Sequence, residues 1–146
     1  MSENKLKPTE AWFNQSGVIP YRIKNKELEI LLITSRKKQR WIIPKGIIED
    51  NLHPQTSAGK EALEEAGIVG TVEDHYLGSY AVKKWGGKIK IEVYPMIVKL
   101  LLDDWEEKDL RKRKWFSFKE AKEKIEIRGL QKVLDNFIIK INEADS

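Results

Sequence analysis

The chain has 146 residues, 40% hydrophobic and 34% charged, with 27 Lys and Arg against 23 Asp and Glu for a formal net charge of +4. That length suits one domain with one core, and the balance is too apolar for a disordered chain. With no cysteine, a disulfide framework and a thiolate metal site are excluded; no apolar run approaches the ~20 residues of a membrane span, and the opening MSENKLKPTEAWF lacks the apolar stretch of a secretory signal.

Residues 1–13 read as a loosely packed N-terminal arm. Ser16 to Arg22 reads as a strand in which Pro20 removes a ladder donor, pointing to an edge or a bulge. After a turn at Lys24-Asn25-Lys26, the run Leu28 to Ile33 is nearly continuous in apolar residues, as in a strand buried on both faces. Trp41-Ile42-Ile43 is a short strand halted by Pro44-Lys45-Gly46. A helix is predicted from Pro54 to Ala66, with proline in its first turn and Gly67 placed to end it in the left-handed conformation. Strands follow at Ile68 to Val72, Leu77 to Trp85 and Lys88 to Leu102, the last two turned by Gly86-Gly87. Trp115 to Ser117 is a last strand, and Ser117 with Glu120 forms a capping box for a helix through Ile125. Arg128 to Ile141 is amphipathic, with Leu130, Val133, Leu134, Phe137, Ile138 and Ile141 on one stripe that reads as core. The expected fold is one α/β domain over residues 1–146, a mixed β-sheet with helices on both faces.

Glu61, Glu64 and Glu65 share one face of the Pro54–Ala66 helix, since residues three and four apart bring their Cβ atoms roughly 5–6 Å from each other. Taken alone, they read as an acidic solvated face. They also suit magnesium, which takes oxygen ligands at about 2.0–2.1 Å and combines a few carboxylates with waters and substrate phosphates. Basic residues gather at Arg36-Lys37-Lys38 with Arg40, at Lys83-Lys84 with Lys88 and Lys90, and at Arg111 to Lys114. Each cluster alone reads as solvated surface; converging on a cleft, they would seat phosphates.

The stretch from Gly46 to Ile68 resembles the Nudix box, G-x5-E-x7-R-E-U-x-E-E-x-G-U with U aliphatic. Gly46, Glu61, Ala62, Glu64, Glu65, Gly67 and Ile68 match, with the spacing intact. Two positions depart: Leu52 stands where the first glutamate belongs, and Lys60 where the arginine belongs. Lysine keeps the charge and loses the bidentate guanidinium that orients a glutamate; Glu49, in the same loop, is a candidate to replace the missing carboxylate. Outside the box, Trp41 to Gly46, Asp104-Trp105-Glu106 and Arg111-Lys112-Arg113-Lys114-Trp115-Phe116 look like the branch that holds diphosphoinositol polyphosphate and diadenosine polyphosphate hydrolases, with a shorter loop between Trp105 and Arg111.

The resemblance implies a Nudix-type α/β/α sandwich and a cytoplasmic pyrophosphohydrolase that cuts a phosphoanhydride bond in a small polyphosphate, of diphosphoinositol polyphosphate or diadenosine polyphosphate type. It implies Mg2+, with Mn2+ as a substitute, held by Glu61, Glu64, Glu65 and the Lys45 carbonyl. Candidate catalytic residues are Glu61 and Glu65, with Glu106 or its neighbour Glu107 as an alternative base. Arg22, Lys45, Arg111 and Arg113 are the candidates for gripping phosphates; Arg111 and Arg113 share one parity of a strand whose faces alternate, which sets them apart from Lys112 and Lys114. Trp115 and Phe116 read as core, Tyr80 and Trp85 as core or base-stacking, and His53 and His75 as loop surface. No membrane or nucleic-acid partner is expected, and a monomer and a homodimer stay open. The competing reading, prompted by Leu52 and Lys60, is a non-catalytic Nudix-fold module that binds nucleotide or RNA.

Overall fold

The computed structural model describes residues 12–84 and 86–144. Of the expected arm, residues 1–11 lie outside this range, as does Trp85. The nearly continuous apolar run becomes β2 (Glu27–Thr34), whose side chains go alternately to two cores: Ile30 and Leu32 to one, Leu31 and Ile33 to the other. A strand covered on both faces needs apolar residues at every position. β1 (Trp12–Lys24) divides in the same way, with Val18 on one side and Ile19 and Tyr21 on the other. The turn between these strands carries Asn25 and Lys26 at φ 54° and 69°, the left-handed pair that a two-residue hairpin loop needs.

β1 is longer than expected and includes Trp12 and Phe13, assigned above to the arm. They pair with Lys88 and Ile89 of β7 (Gly87–Leu101) in a parallel ladder that continues to Tyr21 and Ile97. On its other edge β1 changes partner. Gln15, Ser16 and Gly17 pair with β4 (Lys45–Ile47), whereas Tyr21 to Lys24 pair with β2. Pro20 falls between these two ladders, so an interior strand tolerates a residue with no N–H to donate; the expected edge position is corrected. β4 itself was not foreseen. Pro44 ends β3 (Trp41–Ile42), but its carbonyl accepts from Val18 N at 3.2 Å and leads the chain back onto β1.

Among the described residues eight strands join in one sheet. β5 (Ile68–Val72) and β6 (Gly78–Lys84) both run antiparallel to β7, and β8 (Arg113–Ser117) runs antiparallel to β2. Helix α1 (Pro54–Ala66) covers one face through Ala58, Ala62 and Ala66, small residues at four-residue steps that let it approach closely. α2 (Phe118–Lys124) and α3 (Arg128–Ala144) cover the other, α3 burying Leu130, Val133, Leu134, Phe137 and Ile141. The Ser117–Glu120 capping box starts α2 as expected. The architecture is the α/β/α sandwich with a mixed sheet.

Candidate active site

The site forms where β4 meets α1. The buried Ser57 hydroxyl fastens loop to helix, donating to Ile47 O and accepting from Glu49 N, both at 3.1 Å. One turn further along α1, the Glu61 carboxyl fills the space that a Cβ on Gly46 would need. This gives the glycine that opens the box a steric reason. The next turn places Glu65 so that its Oε1 accepts from the Lys45 amide at 3.2 Å. At the end of the helix Gly67 adopts φ 65°, and the Trp105 ring packs where a side chain would begin.

Burial dominates the electrostatics. Glu65 is buried, and its carboxyl is pushed up to about 7, chiefly by desolvation, against the pull of Arg111, the Lys45 amide and the Lys45 ammonium. Glu61 is held above the ordinary carboxyl range by burial and then by the Glu64 charge, against a hydrogen bond with Glu65. Burial lowers the Lys45 ammonium, and Glu65 opposes that. Losing water raises the free energy of each charged form unless a counter-charge replaces it. The counter-charge closest to hand is Arg111. Its guanidinium lies 3.6 Å from Glu65 Oε2 and 2.8 Å from Glu107 Oε1, and donates to Thr34 O at 3.1 Å.

Several expected residues land elsewhere. The Arg113 guanidinium donates to Ala66 O, Gly67 O and Leu102 O at 2.9, 3.2 and 2.7 Å, so it serves the main chain instead of facing a phosphate. Arg22 is paired with Glu29 at 2.7 Å and lies over Trp115. It is five residues beyond Gly17, the partner of Lys45, roughly 17 Å along β1 at about 3.3 Å per residue. It does not reach the carboxylates. Glu106 is exposed, and its neighbour Glu107 is the one turned to the site. Lys60 still orients a glutamate, through a 2.7 Å ion pair with Glu49. Leu52 is half-buried, with its amide bonded to Glu49 O. Tyr80 and Phe116 are core; the hydroxyl of Tyr80 is buried with no hydrogen-bond partner among the described residues. Thr34, whose carbonyl anchors Arg111, carried no signal because a main-chain acceptor leaves no trace in residue type.

Among the described residues no group of three His, Cys, Asp or Glu side chains is drawn together as a ready-made cage. Magnesium does not need one: one or two carboxylates with waters and substrate phosphates suffice. Glu61 and Glu65 fit that requirement. They are two adjacent, desolvated, oxygen-donating groups whose charged forms lack a full complement of counter-charge. A recess of about 520 Å³ is lined by Trp12, Asn14, Ser79, Tyr80, Ala81 and Lys90, and the carboxylates are not part of its wall.

Comparison with known proteins identifies the family. The family model described as "NUDIX domain" matches residues 14–137. Nudix hydrolase 18, mitochondrial, of Arabidopsis thaliana is 34% identical over 135 residues, 86% of this chain and 76% of that protein. Diphosphoinositol polyphosphate phosphohydrolase 3-beta of Bos taurus is 31% identical over 114 residues, 77% of this chain and 68% of that protein. The crystal structure of the C. elegans Ap4A hydrolase superposes with a TM-score of 0.74 at 20% identity, over 90% of this chain and 99% of that one, a likeness of fold. The chain belongs to the Nudix family and is a pyrophosphohydrolase of that family.

Proposed function

We propose that this chain hydrolyses a phosphoanhydride bond in a small polyphosphate of the diphosphoinositol polyphosphate or diadenosine polyphosphate type, using Mg2+. The observation that carries the proposal is the convergence of Glu61 and Glu65 on Lys45 and Gly46 with Arg111 alongside. Nudix hydrolases generally use divalent metal ions. Glu61 and Glu65, supported by Glu64 and the Lys45 carbonyl, would hold Mg2+, with Mn2+ as a substitute; when bound, the ion supplies neutralisation of phosphate charge and a lowered pKa for water. The substrate class draws support from the bovine relative, whose name states a diphosphoinositol polyphosphate substrate, and from the Asp104-Trp105-Glu106 and Arg111–Phe116 runs.

The chain's own residues then have distinct tasks. Arg111, fixed by Glu107 and Thr34 O, keeps a rigid planar donor beside the carboxylates, suited to gripping a phosphate in two places. Lys45 adds a second cation at the same point. Burial leaves both carboxyls with a raised affinity for protons, and we assign the acceptor of the water proton to Glu61, in place of the exposed Glu106. Arg22 and Arg113 do not touch the substrate. A cytoplasmic setting belongs to this proposal; no helix of the described residues is long and apolar enough to cross a membrane.

The test is to incubate the pure chain with diphosphoinositol phosphates, diadenosine polyphosphates, nucleoside triphosphates and nucleotide sugars, with magnesium or with chelator, and to identify products by phosphorus NMR. Magnesium-dependent cleavage of the first two classes is expected. Cleavage of nucleotide sugars alone, or of nothing, overturns the substrate assignment.

A further inference from the structure

One distant segment caps the C-terminal end of α1. A helix leaves its last four carbonyls without donors of its own. Here Leu63 O takes the Gly67 amide, and the next four carbonyls are all taken by residues 102–113. Glu107 N donates to Glu64 O at 3.0 Å and Trp105 Nε1 to Glu65 O at 3.1 Å. Arg113 supplies Ala66 O and Gly67 O, and Leu102 N also reaches Gly67 O, at 2.8 Å. The Arg113 guanidinium sits over the Trp105 ring, 3.9 Å from its centroid, and that ring fills the space beside Gly67.

Glu64 and Glu65 are thus gripped by their main chain from the segment that also brings Arg111 to the Glu65 side chain and Glu107 to Arg111. We propose that Trp105 and Arg113 are positioning residues of the hydrolytic site: they act through the α1 backbone to set where the Glu64 and Glu65 carboxylates point, and they do not touch substrate. The proposal rests on the hydrolytic reading above. The chemistry of both residues fits the task. Indole offers one N–H and no acceptor, so phenylalanine keeps an aromatic ring beside Gly67 and loses the bond to Glu65 O together with part of the ring area. A guanidinium spreads several donors in one plane and reaches three carbonyls here; lysine keeps the charge and cannot span them. A phosphate-binding arginine would keep donors for its ligand, whereas those of Arg113 are divided among protein carbonyls.

The variants are Trp105→Phe and Arg113→Lys, measured with the wild type at a temperature where thermal melting shows all three folded. The readouts are Mn2+ affinity by calorimetry without substrate, and kcat and KM with the best substrate of the panel. Groups that orient a metal's ligands are worth on the order of ten- to a hundredfold in metal affinity or activity. A loss of that size in Mn2+ affinity and kcat, with KM unchanged, is expected for both. Variants that melt earlier but keep wild-type Mn2+ affinity and kcat show a merely structural clamp and overturn the proposal. A rise in KM that grows with phosphate number in Arg113→Lys overturns it in favour of phosphate binding. A wild type inert toward the whole panel overturns the hydrolytic reading and this proposal together; an active wild type with unaltered variants overturns this proposal alone.

Discussion

Glu65→Gln keeps the size of the side chain and removes its charge. Burial pushes the wild-type carboxyl to about 7 from its ordinary 4.5, and a gap of about 2.5 corresponds to about 3 kcal/mol. The folded protein binds this proton more tightly than the unfolded chain does. The associated stability is therefore complete below about pH 4.5 and is lost as the pH climbs through about 7. Without metal, the wild type should lose most of that ~3 kcal/mol between about pH 5 and pH 8. The glutamine variant should lose none of it from this position and should be the more stable protein at the alkaline end. Added magnesium should stabilise the wild type at about pH 8 and do little for the variant, because binding to the folded state alone raises stability by mass action. Urea melts across this range, in chelator and in magnesium, read both effects. Turnover of the variant should fall on the order of a hundredfold, the equivalent of about 3 kcal/mol of barrier. A glutamine variant that follows the wild-type pH dependence without metal, or gains as much stability from magnesium, would refute the reasoning.

Gly46→Ala drives a methyl group into the Glu61 carboxyl; Glu61 must swing away, and kcat should fall on the order of a hundredfold while melting changes little. Leu52→Glu should preserve activity and cost no more than about 1 kcal/mol, since the site is half-buried and Lys60 lies near to share its charge with Glu49; a melting loss of several kcal/mol would show that Leu52 is packed more deeply. Arg22→Met removes an ion pair and a cation–π contact far from the carboxylates, so a cost of about 1 kcal/mol or less is expected, with kcat and KM unchanged; a raised KM would return Arg22 to the substrate site.

The elements with strong periodicity were legible in the sequence. Pro54 in the first turn and Gly67 at the end marked α1, and the apolar stripe from Leu130 to Ile141 marked α3. What stayed hidden was pairing over long distances. β4 is three residues long and owes its existence to β1. Pro20 looked like an edge residue because nothing local tells that β1 changes partner there. The shared face of Glu61, Glu64 and Glu65 was legible because residues three and four apart on a helix lie side by side. Arg113 was misread for a physical reason: a guanidinium that serves carbonyls and one that serves phosphates look the same in a sequence. Parity grouped Arg111 with Arg113 and was useful to that extent, since both reach the end of α1. Only the protein groups around each show that one side chain keeps company with carboxylates and the other with main-chain oxygens.

The clamp on α1 also bears on the order in which the protein is made. During synthesis the glutamate helix leaves the ribosome with its opening strands, but its closing donors are encoded at residues 102–113. The parallel ladder that aligns Trp12 with Lys88 is also late, and contacts so distant in sequence form slowly. Until both arrive, the end of α1 is open to water, Glu65 has neither Arg111 beside it nor the burial that raises its affinity for a proton, and its carboxyl behaves as any solvated glutamate. A nascent chain halted before β7 therefore carries every residue of the glutamate motif and lacks both the parallel ladder and the donors that close the helix.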